Sequence, residues 1–225
     1  MNKSQKALVV FSGGQDSTTC LCWAMKNFKK VYTISFDYGQ RHKKELEAAK
    51  KIAKELKVPN KVVKIGLFKE LTKNALTDES VPVKSAEERS KGQNLPSTFV
   101  DGRNLIFLSA AAIYAKSLGI KDIVTGVCET DYSGYPDCRD EFIKSLENTL
   151  NLAMEYEFKI HTPLMWLNKA ESVKMMKRLK GLKLLKYTQT CYEGRKRACG
   201  ICPACKLRLK GFQEAGEEDP VEYEK

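Results

Sequence analysis

The chain has 225 residues, 42% of them hydrophobic, with 39 basic against 28 acidic side chains and a net charge of +11. That is enough apolar material for one α/β domain with a small appendage, and no run is long enough to span a membrane. The first residues lack the apolar stretch and cleavage site of a secretory signal, so the expected setting is the cytoplasm, where eight cysteines act as thiols or metal ligands rather than disulfides.

In chain order, residues 7–11 are a short apolar run that reads as a buried strand. It stops at Ser12, Gly13 and Gly14. Asp16 and Ser17 then open a helix over residues 18–25. Strand, glycine turn and helix start make a phosphate cradle. Glycine lets the backbone approach an anion, while free first-turn amides and the helix dipole supply positive potential. Ser12, Ser17 and Thr18 can add hydroxyl donors. The loop is not a Walker A motif, which needs Gly-Lys-Ser/Thr, nor the Gly-x-Gly-x-x-Gly dinucleotide fingerprint.

Residues 31–36 alternate and read as a second strand, closed by a polar cluster from Asp37 through Gly39 to His42. Residues 43–57 form a helix with Leu46, Ala49, Ile52, Ala53 and Leu56 on one face, and 61–65 a third strand. This is the opening of a parallel sheet, in which ligands bind at the carboxyl ends of the strands, where Ser12 and Asp37 fall. Residues 67–76 read as a short helix. Residues 77–96 are a long surface excursion, either disordered without ligand or closing over the site. Residues 102–118 are apolar almost all round, which predicts a central buried helix with Asp101 as N-cap and Gly119 as its end. Arg103 and Asn104 sit in its first turn, within reach of a ligand. Residues 121–125 read as a fourth strand, 126–139 as a polar segment at its end, and 141–156 as an amphipathic helix. Asn168 and Glu171 form a capping-box pattern before a helix carrying Val173, Met176 and Leu179. The lysines are scattered over presumed helix faces and read as solvated surface, so no nucleic-acid partner is expected.

Near the end stand Cys191, Cys199, Cys202 and Cys205. Four soft thiolates at this spacing suit a closed, structural tetrahedral zinc site, with an iron–sulfur cluster or a redox dithiol as rivals. Gly194, Gly200 and Pro203 supply tight turns. Six basic residues between 195 and 210 would offset the negative charge of a zinc tetrathiolate. Cys20, Cys22, Cys128 and Cys138 have no ligand spacing and read as packing residues.

The segment Ser12-Gly13-Gly14-Gln15-Asp16-Ser17 resembles the signature of the PP-loop ATP pyrophosphatases, which cut ATP between the α and β phosphates and transfer AMP to an oxygen. Four further segments, residues 37–42, 102–104, 129–139 and 162–167, together with the cysteine cluster, make nearly the whole chain similar to the 7-cyano-7-deazaguanine synthase family. Asp101 departs from the Pro expected before Gly102, and Ala204 from a Ser in the cysteine cluster.

The resemblance implies a Rossmann-like parallel sheet with helices on both faces, of adenine nucleotide alpha hydrolase type. It implies a catalytic domain over residues 1–188 and a zinc-binding subdomain over 189–225. It also implies an ATP-dependent ligase that turns 7-carboxy-7-deazaguanine and ammonia into the nitrile with Mg²⁺, structural Zn²⁺ and a homodimeric assembly. ATP would be held by Phe11, Ser12, Gly13, Gly14, Gln15, Asp16, Ser17, Thr18, Thr19, Cys20 and Leu21. Asp16, Ser17 and Arg103 would be catalytic. A guanine-like base needs an acceptor for its N1–H and amine, and a carboxylate offers two oxygens. Asp137 is the first choice and Glu129 the second, with Tyr132 or Tyr135 stacking and Asp37 and Arg139 alongside. The alternatives are a tRNA-modifying thiolase or lysidine synthase, which would use the positive charge, and a non-enzymatic nucleotide- or zinc-binding module.

Overall fold

A computed structural model describes residues 5–40, 43–72, 74–78, 80–81, 95, 98–130, 135–194 and 197–224. The strands are β1 (Lys6–Val10), β2 (Lys30–Asp37), β3 (Asn60–Lys64), β4 (Asp122–Val124) and β5 (Lys159–His161). They form one parallel sheet in the order β3-β2-β1-β4-β5. The order reverses between β1 and β4, and that crevice is where a doubly wound sheet binds its ligand.

The alternation in β1 sets the layers. Leu8 belongs to a core with α4 (Arg103–Ser117) and α5 (Asp140–Met154), through Leu108, Ala111, Ile143 and Leu146. Ala7, Val9 and Phe11 face the other way, onto Cys20, Leu21 and Ala24 of α1 (Gln15–Asn27) and Ala49 and Ile52 of α2 (Lys44–Glu55). Helices therefore cover both faces. The short α3 (Leu67–Leu71) follows β3. Beyond β5, α6 (Lys169–Arg178) packs on α7 (Pro203–Ala215), with a 3-10 turn over Leu182–Tyr187 between them. Among the described residues no helix is long and apolar enough to cross a membrane.

Two local expectations change. Helix α4 is not buried all round: Leu108, Ala111, Ala112 and Ala115 face the core, while Ile113 is 64% exposed. Its N-cap is Gly102 in the left-handed region (φ 68°), not Asp101, and the missing side-chain cap comes from Asp137, whose Oδ2 accepts the Asn104 N–H at 3.0 Å. After β5, Met165 packs into the core while Trp166 is 61% exposed. Asn168 does make the capping box with Glu171. Most of the 77–96 excursion lies outside the described residues.

Candidate active site

The phosphate-loop segment is locked into the sheet before it turns. Phe11 donates its N–H to the Ile34 carbonyl at 2.8 Å, and its own carbonyl accepts from Ser35 Oγ at 2.6 Å. Gly13 then adopts φ +86°, and a Cβ there would collide with the Glu45 carbonyl oxygen and lie 2.5 Å from the Ala49 nitrogen. Only glycine lets the loop rest directly on the first turns of α2. Helix α1 begins at Gln15, earlier than the predicted residue 18, because the Thr18 N–H already bonds the Gly14 carbonyl at 3.1 Å. The amides of Gln15, Asp16 and Ser17 precede that first intrahelical bond and point out of the helix start.

Side chains order the loop. Ser12 Oγ accepts the Gly14 N–H at 3.2 Å and lies 3.1 Å from Ser17 Oγ. Thr18 and Thr19 are fully buried and donate their hydroxyls to the Gly14 and Gln15 carbonyls, so they brace the helix start. Cys20 and Leu21 lie in the core behind it; burial raises the Cys20 thiol's pKa well above its ordinary value. Asp16 receives both of its hydrogen bonds from Lys169 Nζ, at 3.0 and 2.9 Å.

A cavity of ≈ 320 Å³ opens beyond the carboxyl ends of β1, β2 and β4. Ser12, Gly14, Gln15, Asp16 and Ser17 form its floor. Gln15 is 4% exposed, and neither its amide nitrogen nor its oxygen has a partner among the described residues. A buried amide on a cavity wall offers both a donor and an acceptor to whatever occupies the cavity. Tyr38, Glu45 and Arg103 form the facing wall. Burial pushes Tyr38 up to about 12, partly opposed by Arg103, so its phenol stays protonated. Burial likewise pushes Glu45 up from 4.5 to about 7, with Arg103 pulling the other way. Tyr135 lines the cavity beside Arg103, its hydroxyl 2.6 Å from Thr98 Oγ1.

The other expected substrate residues lie elsewhere. Asp137 is buried behind the wall as the cap of α4, with its own carbonyl accepting from Asn104 Nδ2 at 3.1 Å. Glu129 caps α5 by accepting the Asp140 N–H at 2.9 Å, and Arg139 is the exposed N-cap residue of that helix. Asp37 pairs with Lys43 at 3.1 Å. Tyr132 and His42 lie outside the described residues. His161 is structural, paired with Asp122 at 2.7 Å and packed on Trp23 and Phe28.

The four C-terminal cysteines converge. Their sulfurs lie within 4.8 Å of one another, against the about 3.8 Å that Zn–S bonds of about 2.3 Å would impose. Cys191 Sγ accepts the Cys199 N–H at 3.4 Å, and Cys199 Sγ accepts the Cys202 N–H at 3.3 Å. Sulfur contacts from Cys202 and Cys205, aided by backbone donors, push the Cys191 thiol down toward thiolate. A converging, buried, hydrogen-bonded four-sulfur set fits a tetrahedral metal. Arg208 does not serve as counter-charge there: it is 1% exposed, binds Asp219 through two 2.8 Å bonds and reaches Thr188 and Thr190.

The family described as Queuosine biosynthesis protein QueC matches residues 6–216. A 7-cyano-7-deazaguanine synthase of Clostridium botulinum (strain 657 / Type Ba4) is 55% identical over 97% of this chain and 99% of its own length. One of Bacillus subtilis (strain 168) is 56% identical over 94% of this chain and 95% of its own. The chain belongs to the QueC family. Among solved structures, a 4-thiouridine synthetase in complex with RNA and bound ATP is 16% identical, with a TM-score of 0.50 over 94% of this chain and 50% of that one. That likeness concerns the fold.

Three features of this QueC-family site escaped the sequence. Lys169 was visible only as part of a capping pattern. Glu45 sat in an amphipathic helix as one charge among many. The third is the wall made by Gln189, Thr190, Tyr192, Ala204 and Arg208, which brings the cysteine segment to the cavity. Gln189 N–H bonds the Gly13 carbonyl at 3.1 Å across 176 residues of sequence (189 − 13), a contact no local pattern announces.

Proposed function

We propose that this chain is a synthase of the kind its relatives are named for, converting 7-carboxy-7-deazaguanine, ammonia and ATP into 7-cyano-7-deazaguanine in the cytoplasm. The observation that carries this reading is the cavity floor. The helix-start amides ahead of the first intrahelical bond, and a Gln15 side chain without a partner among the described residues, adjoin a space that Arg103 also lines. This is an anion site with a cation across from it.

A carboxylate is a poor electrophile, so one of its oxygens must become a leaving group. In the proposed order, a substrate oxygen attacks the α-phosphorus of ATP, an O–P bond forms, and pyrophosphate departs. Ser12, Gly14 and the helix start at Gln15, Asp16 and Ser17 would hold the phosphate end of the Mg²⁺-bound nucleotide, with Gly13 and Thr18 shaping the loop behind them. Arg103 neutralises charge on phosphate or carboxylate. Tyr135, on the cavity wall, would stack on the deazaguanine, with Asp137 acting through the Arg103 and Asn104 turn it caps. Ammonia then attacks the acyl carbon and AMP leaves, giving the amide. A second ATP activates the amide oxygen, and loss of AMP and protons from nitrogen gives the nitrile. Cys191, Cys199, Cys202 and Cys205 would hold Zn²⁺, which as a closed tetrathiolate supplies structure rather than chemistry. Residues 189–225 then form a metal-stapled subdomain closing the cavity of the 1–188 domain. The homodimer that the family resemblance implies would be reported by native mass.

The reading is tested by ATP consumption in two arms. AMP and the nitrile are expected with 7-carboxy-7-deazaguanine and ammonium, and no AMP with tRNA. AMP formation with tRNA alone would overturn it in favour of a tRNA-modifying enzyme.

A further inference from the structure

Amide formation needs neutral ammonia, yet ammonium predominates at neutral pH. A group on the cavity wall that takes a proton would let the abundant ammonium serve as the nucleophile's source. Among the described residues lining the cavity there are two carboxylates. Asp16 is committed, both oxygens accepting from Lys169. Glu45 is not: among the described residues no hydrogen bond reaches its carboxylate, and the charge acting on it is Arg103. No described histidine lines the cavity. The Tyr38 phenol is held protonated, and the Cys128 and Cys138 thiols are hydrogen-bonded, to the Leu167 carbonyl at 3.2 Å and the Asn104 amide at 3.4 Å.

We propose that Glu45 is the catalytic base that binds ammonium and takes its proton beside the acyl adenylate, a role that rests on the synthase reading above. An N–H bond of ammonium breaks and its proton goes to a Glu45 oxygen. The freed lone pair forms the C–N bond, the C–O bond to AMP breaks, and the surplus proton on the adduct leaves to water. Acyl adenylate and ammonium become amide, AMP and two protons.

The placement is enforced by the loop. Glu45 stands in the first turn of α2, the turn against which Gly13 is pressed, so the element supporting the phosphates also carries the carboxylate. The groups facing it are Arg103 from α4 and Tyr38 from the segment after β2. Titration near neutrality suits a base working there. A charged carboxylate in the wall also draws in a cation that the Arg103 side would repel.

The experiment compares wild type and Glu45→Gln with 7-carboxy-7-deazaguanine and ATP, using either ammonium or hydroxylamine, which is already uncharged at neutral pH. Pyrophosphate exchange reports adenylation and folding. For E45Q, exchange and hydroxamate formation are expected to persist while ammonium-dependent amide formation falls about 10²–10⁴-fold at pH 7. At fixed total ammonium, the wild-type rate should rise through pH 7 and then level. The E45Q rate should keep climbing about tenfold per pH unit, as free ammonia does. If E45Q does not fold, Glu45→Asp is read the same way, with the ammonium-dependent step slowed more than the hydroxylamine-dependent one. Equal loss with both nucleophiles, or no loss with ammonium, overturns the role. A wild-type enzyme that makes no AMP from this substrate overturns the synthase reading itself, and the base with it.

Discussion

At the residue scale, the site depends on charges whose partners come from distant elements. Lys169 holds Asp16 at the loop from the start of α6, with its own side chain only 12% exposed. Lys169→Met leaves Asp16 without its cation and frees it to move. Activity is expected to fall about tenfold to a hundredfold, the cost of slight misplacement in a positioned site, with steady-state ATP turnover as the readout. Unchanged turnover would make the pair incidental. Asp137 works differently. It is 7% exposed and satisfies the first turn of α4. Asp137→Ala should destabilise the fold by about 1–3 kcal/mol in chemical denaturation, because the Asn104 amide loses a charged acceptor. The sequence shows acids at 129 and 137 in a turn-rich stretch, with Asp137 the first choice and Glu129 the second for reading the base. Which backbone amide a carboxylate meets depends on how α4 and α5 arrive, and local sequence does not carry that. Residues 12–17 were legible because the chemistry of that loop is local.

At the scale of elements, the strongest periodic segments announced themselves, with α2 and α5 within two residues of their predicted starts. Strand β5 has three residues, too few for alternation to register, and exists because β4 offers it an edge. Helix α7 was hidden by the cysteine pattern: its buried positions are Cys205, Arg208, Gly211 and Phe212, not an aliphatic stripe. Gly211 is the contact point with α6. A Cβ there would lie 2.5 Å from Lys169 Cγ and 3.1 Å from the Lys169 carbonyl carbon. Gly211→Val is expected to cost about 1–3 kcal/mol by overpacking and to lower ATP turnover through the displaced lysine. Thermal melting and turnover should move together, and a stability loss with full activity would separate α7 from the site. The cysteine segment has the same double role. Tyr192 lines the cavity one residue after Cys191, and Ala204 one residue before Cys205. Chelation should therefore lower the melting temperature and raise the KM for the deazaguanine together, followed by metal release and steady-state kinetics.

At the scale of the whole molecule, β1 supplies the loop, α2 its support, α4 the facing arginine, α6 the lysine and the C-terminal segment the roof, all gathered at the point where the strand order reverses. The parallel sheet was readable from strand-helix alternation. The roof was not, since its closure spans most of the chain. The central claim is that this cavity activates oxygens of one carboxylate by adenylation. Substrate carrying heavy oxygen at both carboxylate positions tests it most directly. Mass spectrometry should find one heavy oxygen in the AMP released on amide formation and another in the AMP released on nitrile formation. Heavy oxygen in inorganic phosphate, or AMP without label, would contradict the account.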